Sequence, residues 1–495
     1  MAEKAGKVWI VGAGPGDAGL ITVKGLSVLL DAQVVVYDRL VGDGLLSLLP
    51  AGAECIDVGK SGGTHPVPQD KINEILCAKA RSGKRVVRLK GGDPFIFGRG
   101  GEEAMALARA GIPCEVIPGV TAASAVPAYA GIPVTHRDLA SSVQIVTGHR
   151  RADVSKKPDY EALARGGGTI VFYMGLAALE EICDGLIGAG MSADMPAAVI
   201  SNGTTAEQKS VFAPLGLLAH EVRKRGLKPP ALIVVGQVCS LSKETGSLAG
   251  GPLSGRRVIV TRPAKRSRQF IETLAGLGAE VVALPAIETV PRELSQAELD
   301  IIRDAPGYHI IAFTSAEGAQ IFFDCLYETG VDIRALAGVR LAAIGPSTAE
   351  VLKKRGLIAD IMPKQYNGSA LGELLAVQAA AGERVLLPRS DIGSDSVTRP
   401  LLKAGIEFDE LALYSIKEPA HPVLPALSDG DIVTFTSAST VRNMVHMYGG
   451  RLPDGVLGLC IGGPTAAQAA QYGIKTVTAD RETEESMVEK LLRTV

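Results

Sequence analysis

The chain has little that would support metal or disulfide chemistry. Its seven cysteines (Cys55, Cys77, Cys114, Cys183, Cys239, Cys325 and Cys460) include no pair at CxxC spacing, and its seven histidines form no HExxH. Structural zinc and a disulfide framework both need closer spacing than this, so no metal is expected. No apolar run approaches the roughly 18 residues that suggest a membrane span. The start, MAEKAGKVWIVGAG, enters a strand without a signal-peptide core, which makes the cytoplasm the expected location. An excess of one charge is missing too: 51 Lys and Arg against 53 Asp and Glu leave a net charge of −2. Nucleic acid is therefore not an expected partner. Acidic small molecules are not excluded, because they need only local basic clusters.

What is present is small and apolar. Glycine occurs 58 times, apolar residues make up 46% and charged residues 21%, the balance of a packed α/β protein with many tight strand-to-helix turns. At 495 residues the chain exceeds one ordinary core, so several units are implied. Strands are expected at Val8–Val11, Val34–Tyr37, Glu54–Val58, Arg85–Leu89 and Cys114–Ile117, each ending in a Gly-rich or polar turn. That pattern predicts a parallel sheet with its loops gathered at one edge. A second set follows at Val143–Val146, Thr169–Tyr173, Ala197–Ile200 and Leu232–Val235, giving a second lobe. The expected lobes are residues 1–137 and 138–241. SKETGSLAGGPLS (242–254) lacks apolar periodicity and reads as a flexible linker.

The remainder, 255–495, contains an internal repeat. HIIAFTSAEGA (309–319) resembles DIVTFTSASTV (431–441), and each precedes a second matching turn, AIGPSTAEVL or CIGGPTAAQA. Two similar α/β lobes follow from this. Leu284–Pro291 and Leu411–Pro419 look like strands crossing between them, which predicts one lobe from 255–286 plus 418–495 and another from 287–417.

The first turn carries Gly12, Gly14, Pro15, Gly16 and Asp17, and Asp38 ends the next strand. Together they mimic a dinucleotide fingerprint with an acidic ribose acceptor. A pyrophosphate, however, wants backbone N–H donors and positive potential. Pro15 removes a donor, and Asp17 replaces the third glycine with a carboxylate. A ligand without phosphate fits this turn better.

The series GAGPGDAGLIT, YDRLV, VGK, RLKGGDPFIFGRGGEE, PGVTAASAVPAYAGIPVTHR, TGHR, YMG and ISNGTTAEQ runs through residues 12–208. In that order it resembles uroporphyrinogen-III C-methyltransferase over about residues 6–240. The resemblance implies a two-lobed tetrapyrrole-methylase fold and two methyl transfers from S-adenosylmethionine (SAM) to uroporphyrinogen III, giving precorrin-2. It places cofactor contacts on Pro15, Gly91, Gly92, Asp93, Ile96, Thr121, Ala122, Met174 and Gly203, and on Ala231 in PPALIVVG. Glycines at 91 and 92 let backbone approach a ligand closely; Met174 offers a soft apolar surface, although its spacing alone fits core packing. Asp38 receives the role of proton acceptor and Lys60 that of proton donor. Arg39, Arg88, Lys90, Arg99, His136, Arg137 and Arg150 are available for the substrate's carboxylates or for a solvated face.

Residues 256–495 carry VIVTRP, AFTSAEGA, AAIGPSTAEVLKKRG, LLPRSDIGSD, ALYSIKEP, VTFTSAST and CIGGPTAAQA, and resemble uroporphyrinogen-III synthase. The implied reaction closes hydroxymethylbilane with inversion of its last ring and loss of water, without cofactor or metal. Hydroxyls and helix N-terminal amides bind carboxylates without a strong base, which singles out Thr314, Ser315, Ser347, Thr348, Ser437, Ser439 and Thr465. Arg262, Lys265, Arg266 and Arg268 form a basic turn. Several of these hydroxyls also suit helix N-caps, and Tyr414 suits a structural role. HPVLPALSDGD offers no counterpart of the Tyr that the family would place before FTSAST.

The expected whole is thus a bifunctional tetrapyrrole enzyme, dimerising through its methyltransferase half. The rival reading is an NAD-dependent oxidoreductase fused to a two-lobed ligand-binding module.

Overall fold

The computed structural model describes residues 6–59, 67–148, 158–246, 250–420 and 423–495. The first sheet holds β1 (Lys7–Gly12), β2 (Val34–Tyr37), β3 (Glu54–Asp57), β4 (Arg85–Lys90) and β5 (Cys114–Ile117), in the order β3-β2-β4-β1-β5. All neighbours are parallel. Alternation divides each strand between two cores. Val11, Val35, Val87 and Leu89 pack with Leu29 and Leu45 on one face, while Val8, Ile10, Val34, Val36 and Val86 meet Leu76 and Leu107 on the other. The helix Gln69–Arg81 shows why such segments form. It buries Ile72, Leu76 and Ala80 on one stripe, with Asp70 in its first turn and Lys79 and Arg81 in its last.

The second sheet holds β6 (Val143–Thr147), β7 (Thr169–Tyr173), β8 (Pro196–Ser201), β9 (Lys209–Pro214) and β10 (Ala231–Val235), in the order β6-β7-β10-β8-β9. Only β6 and β7 are parallel; the other pairings are antiparallel. The edge strand β9 was not expected from the sequence. It buries Val211 and leaves most of its other residues open.

The rest contributes β11 (Arg257–Val260), β12 (Glu280–Ala283), β13 (Glu288–Pro291), β14 (Ile310–Phe313), β15 (Arg340–Ala343), β16 (Arg384–Ser390), β17 (Glu407–Lys417), β18 (Ile432–Phe435), β19 (Leu457–Cys460) and β20 (Lys475–Thr478). They form two sheets, β12-β11-β18-β19-β20 and β13-β17-β16-β14-β15. The repeat read from sequence appears as two equivalent strand pairs, β14 beside β15 and β18 beside β19, each strand feeding a helix. β13 and β17, on the two segments expected to cross, pair antiparallel.

The chain divides into two compact units, Met1–Ala286 with Ala420–Val495, and Ile287–Pro419. The first unit thus holds both methylase-like sheets together with the β11 sheet. The segment expected to be a flexible linker is ordered wherever it is described. Ser242–Thr245 is helical, the Thr245 hydroxyl donates to the Gly131 carbonyl, and Leu253 is fully buried with its N–H on the Leu277 carbonyl at 2.9 Å. Composition suggested a free coil, but a single buried leucine and backbone pairing dock it. Beside it the short helix Asp43–Leu46 packs on β12. The Ala206 N–H donates to Glu280 Oε2 at 2.7 Å. Among the described residues no helix is long and apolar enough to cross a membrane.

Candidate active site

The carboxyl ends of β1, β2, β4 and β5 lie side by side, and each carries a turn singled out above. Backbone packs tightly here. A Cβ on Gly12 would stand 2.5 Å from the Gly119 Cα, and Gly14 and Gly92 exchange two backbone hydrogen bonds of 3.2 and 2.7 Å. Above Gly92 the situation reverses. Its φ is +67°, and the nearest atom to an added Cβ is the Ala122 nitrogen at 3.9 Å. Space therefore opens over Gly92 toward the N-terminus of the helix Ala122–Tyr129. Asp93 holds this turn by accepting from Phe95 N–H (2.8 Å) and Gly119 N–H (3.0 Å). Its two oxygens thus brace the loop from both sides.

The second sheet closes on the same place. The Tyr173 hydroxyl lies 2.5 Å from Thr121 Oγ1, accepts from Ala123 N–H at 2.7 Å, and its ring centroid stands 5.4 Å from that of Phe97. Burial pushes the Tyr173 phenol above its ordinary pKa. Met174 follows, exposed and left-handed. Gly203 sits beneath Val126, and a Cβ on Gly16 would meet Thr204 Oγ1 at 2.8 Å, so the Pro15 turn abuts this loop. Ala231 opens β10 and pairs with Ser201, the residue leading into that loop. Ile96 is exposed on the β4 turn. Every non-glycine residue with positive φ among those described (Phe97, Arg99, Met174, Asn202 and Thr204) belongs to these loops. Such conformations cost of order 1–3 kcal/mol each and collect at functional sites.

Asp17 occupies the place a pyrophosphate would need. Its Oδ1 accepts from Gly19 N–H at 2.7 Å and its Oδ2 from the Tyr129 hydroxyl at 2.6 Å. A carboxylate thus already caps the short helix Ala18–Leu20. This geometry disfavours NAD and leaves the phosphate-free SAM, with its diol, purine and cationic sulfonium, compatible with the open space over Gly92.

Asp38, just past β2, is held by Arg88 (Nη2 to Oδ1, 2.5 Å) and lies 3.6 Å from Lys90 Nζ. Arg88 and Lys90 are on neither a substrate-accessible nor a solvated face, the two places the sequence allowed. Both are buried, since their strand β4 is central and Glu103, itself fully buried, faces them. Arg99 pairs with Glu102 at 2.6 Å. Lys60 and Arg150 lie outside the described residues. Tyr173 and Glu103 were not singled out by sequence; the YMG and GGEE motifs that contain them were the available signal.

The second half places its hydroxyls at strand ends within each unit. In Ile287–Pro419, Ser315 caps the helix Ala316–Glu328 and lies 2.8 Å from the Tyr414 hydroxyl, with Thr314 beside it. Thr348 is buried at the next helix start, its Oγ1 without a hydrogen-bond partner. In the other unit, Ser437 caps the helix Ala438–Met447, its hydroxyl 2.9 Å from that of Ser439. Thr465 is buried in the first turn of Gly463–Gln471. Arg262 pairs with Glu484, and burial lowers its pKa. Among the described residues no group of three or more His, Cys, Asp or Glu is arranged to hold a metal.

The four sheets and their loop clusters are those of a two-part α/β chain, and known proteins identify both parts. Residues 7–219 match the family of Tetrapyrrole (Corrin/Porphyrin) Methylases, and residues 268–489 match Uroporphyrinogen-III synthase HemD. The porphyrin biosynthesis protein HemD of Ruminiclostridium josui is 43% identical over 492 residues, 98% of each chain. The chain belongs to that family of methylase–synthase fusions in porphyrin biosynthesis. The siroheme synthase of Salmonella typhimurium is 54% identical over 242 residues, 48% of this chain, which spans about half (51%) of that protein. A uroporphyrin-III C-methyl transferase from Thermus thermophilus, solved with S-adenosyl homocysteine, is 39% identical over 48% of this chain and all of its own, with a TM-score of 0.42.

Proposed function

We propose that residues 255–495 close hydroxymethylbilane to uroporphyrinogen III and that residues 1–241 methylate this product twice with SAM, giving precorrin-2. The observation that carries the methyltransferase reading is the convergence of strained loops on the open space over Gly92. SAM supplies a methyl group already activated as a sulfonium. The chain's task is to align it and to move protons. Gly91 and Gly92 admit the ligand to the backbone, Thr121 and Ala122 present a helix start, and Met174 lines the space with thioether. Asp38 takes the proton released from the methylated ring, and Lys60 returns one. In the synthase half the proposed contacts for the substrate's carboxylates are Thr314, Ser315 and Thr348 in Ile287–Pro419, and Ser437, Ser439, Thr465 and Arg262 in the other unit. The working molecule is a cytoplasmic homodimer joined through its methyltransferase halves.

Incubation of the full chain with hydroxymethylbilane and SAM tests the reading. Type III product carrying two added methyl groups is expected by mass and isomer analysis. Unmethylated product, or closure to the uninverted isomer alone, overturns the corresponding half. In parallel, calorimetry should detect S-adenosylhomocysteine binding and no NAD binding.

A further inference from the structure

Glu103 is fully buried at the first turn of the helix Gly100–Arg109, where no surface role can explain a carboxylate. Its Oε1 takes three donors: Arg88 Nε at 3.1 Å, Lys90 Nζ at 3.1 Å and Gln69 Nε2 at 3.2 Å. Its Oε2 is buried and makes no hydrogen bond. Leaving one carboxylate oxygen bare in the interior is costly, so the arrangement is not the one that fold stability alone would choose.

The same two cations reach Asp38 from the other side, Arg88 through Nη2 at 2.5 Å and Lys90 through Nζ at 3.6 Å. Arg88 also donates to the Val36 and Leu89 carbonyls, so its fork is fixed at both ends. The set is balanced: two cations from β4, one anion from the loop after β2 and one from the helix. Among the described residues, Arg99 and Cys114 interact electrostatically with Glu103, Tyr37 and Arg39 flank Asp38 in sequence, and Asp57 ends β3 with its Oδ1 taken by Gly59 N–H. Burial and the Arg88 charge lower the Lys90 pKa, while both carboxylates support its charged form.

A base pressed against two uncompensated cations holds a proton poorly, because nearby positive charge favours the carboxylate by roughly one to three pH units per close neighbour. We infer that Glu103 is a positioning residue for methyl transfer: it anchors Arg88 and Lys90 and neutralises one of their charges, and through these two cations it holds Asp38 in place as the proton acceptor. The inference rests on the assignment of Asp38 as proton acceptor.

The test is single-turnover methyl transfer by the full chain, using uroporphyrinogen III and SAM, across a pH series. Glu103→Gln keeps the volume and an acceptor but leaves the cluster with one extra positive charge. Its rate should fall about tenfold, less than the roughly 10²–10⁴-fold contribution of the proton acceptor itself. The acid limb of its pH–rate profile should move down by about one unit, with S-adenosylhomocysteine affinity unchanged. Adding Lys90→Met restores the balance, and the double variant should regain the wild-type acid limb. That rescue also serves if Glu103→Gln alone folds poorly. A slower variant with an unmoved profile, or a double variant no closer to wild type in its profile, overturns the inference. Absence of methyl transfer in the wild type would instead overturn the proposed function.

Discussion

Arg257, the first residue of β11, donates from Nη2 to Oδ2 of Asp43 at 2.5 Å, tying the synthase part of the first unit to the short helix that follows the Asp38 turn. Two more carboxylates face the same guanidinium, Asp431 at 3.3 Å and Glu280 at 3.9 Å. Its Nε makes no hydrogen bond. Removing the one cation strands three acids. Arg257→Ala should therefore destabilise the chain by about 2–3 kcal/mol, below the 3–5 typical of fully buried pairs because Asp43 remains partly open to water. Calorimetric unfolding of the full chain checks it. A loss under half a kcal/mol would mean that the junction is solvated in solution.

The same cluster has a pH signature. Burial raises the Asp43 pKa, and the Arg257 charge offsets this only in part; Glu280 and Asp431 are raised by burial as well. An acid whose folded pKa exceeds its unfolded value contributes most stability below the unfolded pKa, and that contribution is lost as pH rises through the folded one. Asp43→Asn removes this dependence. Its melting temperature relative to wild type should therefore climb as pH rises from about 4 toward neutrality, the window set by the ordinary Asp value. A difference that is flat, or that falls, would show the ion pair outweighing desolvation.

Asp38→Asn keeps the shape and one acceptor for Arg88 while removing the base. Methyl transfer should fall by about 10²–10⁴-fold, the usual contribution of a positioned proton acceptor. The proposed cofactor contacts lie on other turns, so titration with S-adenosylhomocysteine should give an affinity close to wild type. A parallel loss of affinity would reassign Asp38 to ligand binding.

The sequence was most legible where local pattern and tertiary demand agree. Thr169–Tyr173 was read to the residue, because a β-branched and aromatic run bounded by Gly-rich turns has one good solution in a buried sheet. The opposite case is β9. KSVFAP is short, ends in proline and buries little, so nothing in its periodicity separates an edge strand from a loop. Gly14, Pro15 and Asp17 pointed to a phosphate-free ligand, and the Asp17 cap shows the physical reason. Arg88 and Lys90 were misjudged because a charge on a strand end ordinarily faces solvent. Their burial depends on Glu103, which is distant in sequence and adjacent only after the helix packs. The segment 242–254 misled in another way, since composition reports backbone freedom and is blind to where Leu253 lands.

Ser315 and Tyr414 share a hydroxyl contact of 2.8 Å at the end of β14, which turns the one synthase tyrosine read as structural into a neighbour of a candidate substrate contact. If this tyrosine supplied a proton during ring closure, Tyr414→Phe would abolish formation of the type III isomer. The geometry argues otherwise. Tyr414 is almost wholly buried in β17, and Ser315 is already spent on its helix cap, accepting from Gly318 N–H at 2.9 Å. The Tyr414 phenol in this contact positions the Ser315 turn rather than delivering a proton. Tyr414→Phe should therefore retain at least about a tenth of the type III activity, with a stability loss of about 1 kcal/mol for the broken hydrogen bond. Ser315→Ala should cost a similar 0.5–2 kcal/mol through the lost cap and also leave measurable type III product. Isomer analysis after reaction with hydroxymethylbilane, beside a melting curve for each variant, reads both quantities. Complete loss of the type III isomer with a normal melting curve in Tyr414→Phe would identify this phenol as the proton donor and overturn a mechanism of conformational control by hydroxyls alone.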